Sequence, residues 1–419
     1  MILRGVGTFS SLLTSIFISR FFGAGGIAHF TIFMTWQNFL SELLFGGFKN
    51  FTIRSVATQN FTKFNSSRQY NVLIISLLIM FFGFALFFIF KIFKVIIVFY
   101  FPSEILDSLI YQNTENISLY IIISSTCLSI IRLCSSAIKG LMHSFIGTFT
   151  ENILLPVLFF LFITTLIFLK SSFSYNLLLS SYIISIITVS IFSFMIWKIF
   201  SKPSIKLYFK FSDLVVLKNP SVLKLYFSDI LNRIFALLPL VILPFYVSNI
   251  EVGQFTIASK LAFISNMILV TISTYFNPYF AKYFEIKDIS KLRFFFSKSQ
   301  LFCMMFYLPV FITYLIFGDN LILLFGNDLH MSKNYLLLLS LGQLLSAYFG
   351  LSGQLLFMVN KEYYYLHINI ISIISCVFIS IIFCPYFGVF GIVFALIIYN
   401  FFKNLCFYIY VKREILCFG

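Results

Sequence analysis

Long apolar runs alternate with short polar breaks along the chain, and the runs are apolar on every face. The stretch LLIMFFGFALFFIF, within residues 71–100, presents no polar side at helical or at strand spacing. A helix needs about 20 residues to cross about 30 Å of hydrocarbon. Runs of that size fall at approximately 2–22, 27–48, 71–100, 116–138, 151–169, 177–199, 222–247, 255–276, 300–318, 334–358, 364–384 and 392–411. An outer-membrane barrel would alternate apolar and polar residues, and these runs do not. The expected fold class is all-α, a polytopic membrane protein with about twelve transmembrane helices.

Composition agrees. Of 419 residues, 60% are apolar and 10% charged, against roughly 25% charged in a soluble protein, and the mean hydropathy is +1.00. The 29 basic and 14 acidic residues give a net charge of +15. In a soluble protein that excess suggests nucleic acid; in a membrane protein it reports sidedness, and no nucleic-acid partner is expected. With the N-terminus inside, 20 Lys and Arg lie on the cytoplasmic side and 5 on the other, so both termini are assigned to the cytoplasm. The three longest cytoplasmic segments, near 49–70, 199–221 and 277–299, are basic. The longest external loop, near 101–115, carries Glu104, Asp107 and Glu115 and is too short to fold as a domain. The first run, Ile2 to Phe22, has no A-x-A cleavage site and reads as a retained helix.

The polar segment KIFSKPSIKLYFKFSDLVVLKNPSVLK divides the chain into an N-terminal six-helix bundle (1–200), a basic linker (201–221) and a C-terminal six-helix bundle (222–419). A repeat supports this division. AHFTIF at 28–33 and GQFTIA at 253–258 share Phe-Thr-Ile at an offset of 225, so Phe30, Thr31 and Ile32 recur as Phe255, Thr256 and Ile257. Halves with an even number of helices are parallel repeats, for which a central cavity is expected. The same offset sets Arg4 against Asp229, which lies inside helix seven, so helix one is short at its start.

Ionised groups inside a span cost at least about 2.5–3.5 kcal/mol and face a bundle interior or a wet cavity. Those within the runs are Glu42, Arg132, Asp229, Arg233, Lys260 and Lys403, with Arg4 and Arg20 near the ends of helix one. Asp229 and Arg233 stand i, i+4 with the acid first and can neutralise each other; Arg132, Lys260 and Lys403 can snorkel; Glu42 can pair locally. The embedded sum of four basic and two acidic groups stays positive, which favours an anion such as phosphate over a cationic drug. Arg132, Arg233, Lys260, Lys403, Arg20 and Arg4 are therefore the candidate binding residues, with Glu42 and Asp229 as charge partners. The seven cysteines include no C-x-x-C and read as small apolar residues, and His29, His143, His330 and His367 are scattered. With no Walker A sequence and no D-x-D, no metal, cofactor or catalytic residue is expected. FGAGG at 22–26 reads as a turn between helices one and two.

Three stretches in succession carry a family resemblance: ISRFFGAGGIAHFTIF at 18–33; VGQFTIASKLAF at 252–263 with NPYFAKYF at 277–284; and FGDNLILLFGNDL at 317–329 through LLLLSLGQLLSAYFGLSGQLLFMVNK at 336–361 to CPYFGVFGIVFAL at 384–396. The chain resembles the Wzx-type polysaccharide-repeat flippases, of the MOP group that also holds the MATE exporters and the lipid II flippases. Arg20 matches that family's basic residue at the end of helix one, and Pro278 its proline at the cytoplasmic end of helix eight; the short N-terminus departs from the family pattern and puts in doubt the basic amphipathic lead often found there. The resemblance implies a MATE/MOP-like transporter of the bacterial inner membrane, not an enzyme. It would flip an undecaprenyl-pyrophosphate-linked oligosaccharide by alternating access for O-antigen or capsular polysaccharide synthesis, with membrane lipids and polymerase or chain-length proteins as partners. The alternatives are a MATE-like drug exporter and a membrane-embedded O-antigen polymerase or ligase; the latter is expected to carry a sizeable periplasmic loop that this sequence lacks.

Overall fold

A computed structural model describes residues 2–45, 52, 114–141, 143–168, 174–201, 237–326, 329, 331–359 and 361–416. The expected span at 71–100, the first part of that at 222–247, the 201–221 segment and nearly all of the 49–70 loop lie outside the described residues. Among the described residues, 93% are helical and no strand occurs. Among the same residues, seven helices are long and apolar enough to cross a membrane, and two bent pairs raise the number to nine. The chain is an all-α, multi-pass membrane protein.

Helix α1 (Ile2–Phe45) contains the first two expected spans, joined at Gly23 with φ 67° and ψ −170°. The expected glycine-rich turn at 22–26 is thus a break at one residue, in a backbone region that is essentially restricted to glycine. Helices α2 (Thr114–Gly140), α3 (Ser144–Asn152), α4 (Leu154–Phe168) and α5 (Tyr175–Ser201) follow. The expected span at 151–169 is bent by 41° where α3 meets α4. Pro156 stands just past the bend and has no N–H to return to the carbonyl of residue 152.

After a 3-10 turn at Leu243–Phe245 come α6 (Asn249–Glu285), α7 (Ile289–Leu323), α8 (Ser332–Tyr348), α9 (Ser352–Met358), α10 (Glu362–Phe387) and α11 (Val389–Tyr410), the last ending in a π-turn at Val411–Leu416. Helix α6 starts in a capping box: the Ser248 hydroxyl accepts from the Glu251 N–H and the Glu251 carboxylate accepts from the Ser248 N–H. The segment 277–299, expected as a basic loop, is helical except for the turn at 286–288. Two caps allow so short a turn. The Asp288 and Lys287 N–H groups close α6 onto the Tyr283 and Phe284 carbonyls, and the Asp288 carboxylate accepts from the Lys291 N–H to open α7. Basic composition marked the end of the hydrocarbon, and the helices run past that point.

The chain divides into two compact units, one of Met1–Ser15 with Ile32–Leu237, the other of Ile16–Thr31 with Leu238–Gly419. The first has a core of Phe45, Ile130, Leu133, Cys134, Ala137, Ile138 and Trp197. In the second, Phe276, Phe280, Leu292, Phe296, Tyr307, Leu355 and Phe407 belong to one buried cluster. Its Gly253 backbone lies so close to Ala24 that a Cβ would sit 2.1 Å from the Ala24 carbonyl oxygen. The start of the 253–258 stretch therefore packs against α1 four residues before the 28–33 stretch. Large apolar side chains also face outward, with Phe168 87% and Tyr386 82% exposed. On a soluble protein such a surface would aggregate; against lipid tails it is matched to its solvent.

Candidate functional site

In the first unit, polar residues of α1 recur at i, i+4 as Gln37 with Ser41 and Asn38 with Glu42. That spacing puts them on one side of the helix. On α2, Ser125, Ser129 and Arg132 face them. Arg132 donates from Nη1 to Glu42 Oε1 at 2.8 Å and to Ser41 Oγ at 3.0 Å, and from Nη2 to Asn38 Oδ1 at 3.0 Å. Ser41 and Ser129 share a hydroxyl–hydroxyl bond at 3.0 Å, and the Ser129 hydroxyl also donates to the Ser125 carbonyl at 2.8 Å. One turn earlier on α1, Gln37 accepts from the Tyr182 hydroxyl of α5 at 2.9 Å. The Tyr182 ring is held edge-on by Phe33 and Phe159. The Arg132 and Glu42 side chains are 15% and 11% exposed, so the pair is largely out of solvent and locally neutral.

Nearer the end of α2, Lys139 pairs with Glu151 of α3, and the Ser135 hydroxyl donates to the Gly147 carbonyl at 2.6 Å. Together these contacts tie the short helix before the bend to α2.

The second unit holds a cation of a different kind. Lys403 Nζ, on α11, donates to the Tyr399 hydroxyl at 2.9 Å and lies 4.3 Å from the centroid of that ring. The Tyr399 hydroxyl donates in turn to Asn369 Oδ1 of α10 at 3.2 Å. One residue beyond the lysine, Asn404 donates to the Ser346 hydroxyl of α8 at 3.0 Å. Among the described residues no carboxylate stands within ion-pair distance of Lys403. Its half-buried ammonium keeps donor capacity beyond the single bond to Tyr399.

The other candidates are dispersed. Arg20 donates from Nε to the Leu324 carbonyl at 2.9 Å, a cation at the C-terminal end of α7. Lys260 is half-buried on α6. Arg233 and Asp229 lie outside the described residues, as does the Arg4 side chain. Pro278 is inside α6, before its last turns. Cys127, Cys134, Cys303, Cys376, Cys384 and Cys406 are free thiols, and no group of His, Cys, Asp or Glu among the described residues could hold a metal. Sequence reasoning missed Asn38, Ser41, Tyr399 and Asn369. The first two carried a signal, a polar stripe at i, i+4 in an apolar run; Tyr399 stands four residues before Lys403, and Asn369 becomes relevant only when α10 and α11 pack.

No protein-family model matches this chain, and no curated protein does. Solved structures match along its whole length. An inward-facing multidrug resistance MATE family transporter of the MOP superfamily superposes with TM-score 0.73 at 14% identity, covering 99% of this chain and 97% of its own. The lipid II flippase MurJ, in an inward closed conformation, gives 0.72 at 16% identity, covering 98% and 86%. A MOP superfamily transporter from Pyrococcus furiosus, described as having a binding pocket of reverse polarity, gives 0.64 at 14% identity, covering 99% and 94%. At these identities the likeness establishes the fold: this chain has the helical architecture shared by the MATE transporters and MurJ.

Proposed function

We propose that this protein flips an undecaprenyl-pyrophosphate-linked oligosaccharide across the bacterial inner membrane, for O-antigen or capsular polysaccharide synthesis. Alternating access of the halves 1–200 and 222–419 would drive the movement. The observation that carries the reading is Lys403, an intramembrane cation held by a tyrosine hydroxyl and a ring face with no described carboxylate beside it. Desolvating a cation without a counter-ion costs several kcal/mol. A ligand bearing phosphate recovers that cost through charge-assisted hydrogen bonds, whereas a cationic drug adds to it. The similarity to a lipid II flippase supports a lipid-linked substrate. Lys260, Arg233, Arg20 and Arg4 remain proposed members of the same cationic set, and Arg132 is the weakest member because Glu42 already neutralises it.

Expression in a flippase-null strain tests the reading. Lys403→Ala is expected to lose surface polysaccharide at normal membrane abundance, while Lys403→Arg retains it. Normal complementation by Lys403→Ala would remove the basis for a phosphate site. The exporter reading has its own support in the MATE likeness and in the buried Glu42. It requires that the wild-type chain lower dye accumulation and that Glu42→Gln abolish the effect, and a sugar flippase would leave dye accumulation unchanged.

A further inference from the structure

The turn joining α6 and α7 combines charge, aromatic stacking and an unusual backbone conformation. Helices of 37 and 35 residues are about 55 and 52 Å long, well beyond about 30 Å of hydrocarbon. The excess length is assigned to the joined ends, where Lys282, Lys287, Lys291, Arg293 and Lys298 are exposed, and this puts them in the headgroup zone. There Tyr279, Phe295 and Tyr283 form a continuous stack, with centroids 4.7 Å apart at 7° and 5.1 Å apart at 18°. Lys282 and Lys291, one from each helix, both place Nζ 5.7 Å from the Tyr283 centroid. The stack thus has an ammonium group from each helix beside it, that of Lys291 also pairing with Asp288 Oδ2 at 3.1 Å. Both are exposed, as are Lys287, Arg293 and Lys298. Against these stand Glu285 and Asp288. The carboxyl of Asp288 is held below the usual carboxylate range by the Lys291 backbone N–H and ammonium, so it is ionised at neutral pH and offsets one lysine.

Lys287 adds an independent observation. It occupies the position after the C-cap of α6 with φ 59°, where helices closed in this way usually place glycine. An L side chain there costs backbone energy that glycine avoids. The neighbouring Ile286 is apolar and 62% exposed, and Phe294 is exposed on the facing helix. A lysine in a strained conformation and an outward isoleucine are poor choices for a turn in water. They suit a surface whose outer layer is phosphate and whose next layer is acyl chain.

We propose that this turn is a headgroup site for anionic phospholipid. Lys282, Lys287 and Lys291 take the lipid phosphate, and Ile286 and Phe294 reach the acyl boundary. The site does not depend on the transported substrate.

The test uses the full-length protein in nanodiscs of phosphatidylcholine or of an equimolar mixture with phosphatidylglycerol. Native mass spectrometry counts retained lipid, and thermal unfolding reports stabilisation. The wild type is expected to retain phosphatidylglycerol preferentially and to melt higher in its presence. The triple variant Lys282→Gln, Lys287→Gly, Lys291→Gln loses the preference, by about fivefold for each lysine removed. Lys287→Gly alone guards against a folding defect: in pure phosphatidylcholine it melts no lower than the wild type, because glycine suits the conformation, yet its phosphatidylglycerol shift is smaller. Unchanged phosphatidylglycerol retention in both variants overturns the proposal. So does an equal stabilisation by inorganic phosphate in pure phosphatidylcholine, which would mark a free-anion site.

Discussion

Arg132 and Lys403 are both cations inside transmembrane helices, and their surroundings differ. Arg132 meets Glu42 at 2.8 Å and spends two further bonds on Ser41 and Asn38, so its charge is compensated inside the protein. Removing one member of such a pair leaves the other charge buried alone, a loss of about 3–5 kcal/mol. Arg132→Gln and Glu42→Gln are each expected to lower the unfolding temperature of the purified protein sharply, and the double variant to recover most of the loss. A double variant as unstable as the singles would show that each side chain acts independently. The identities of these residues were legible in the sequence; their company was not. Glu42 and Arg132 lie on α1 and α2, with the whole 46–113 stretch between them, and no local pattern fixes which helices pack.

At the scale of elements, apolar run length located the described helices because hydrocarbon thickness sets a minimum span. It misjudged their ends: α6 and α7 run through the segment 277–299 that was expected as a loop, because caps close them at the 286–288 turn. The bend before Pro156 was not anticipated, since 151–169 was expected as one span, and proline alone does not mark a break: Pro278, Pro309 and Pro385 lie inside helices. Gly23 was read as part of a loop, whereas a single residue carries the change of direction. Nothing lies within 4 Å of a Cβ built there, so Gly23→Ala tests conformation without a clash. The alanine is expected to destabilise by about 1–3 kcal/mol, the cost of holding a non-glycine residue in that region. Gly25→Ala, also with open space around it and in helical backbone, should be neutral or mildly stabilising. Equal unfolding temperatures for the two would mean that the break at Gly23 is not needed for the fold.

For the whole molecule, charge bias and helix direction make a joint prediction of topology. Each crossing in the second unit reverses direction, so the turn at 286–288, the start of α10 and the end of α11 share one side. Lys282, Lys287, Lys291, Arg293, Lys361, Lys412 and Arg413 gather there. The opposite ends, around Leu324, Lys333 and Gly388, have Lys333 and the bound Arg20, and Lys333 pairs with Asp319. Cytoplasmic Lys and Arg enrichment then predicts a cytoplasmic turn and C-terminus. Green fluorescent protein fused after Gly419 is expected to fluoresce, and alkaline phosphatase inserted after Gly326 to be active, since each reporter works only on its own side. The reverse pattern would place the basic ends outside, against the charge bias. It would also turn the candidate headgroup site toward the other leaflet and reverse the direction in which a cytoplasmic lipid-linked sugar could enter. A sided reporter therefore tests the proposed direction of transport before any substrate is identified.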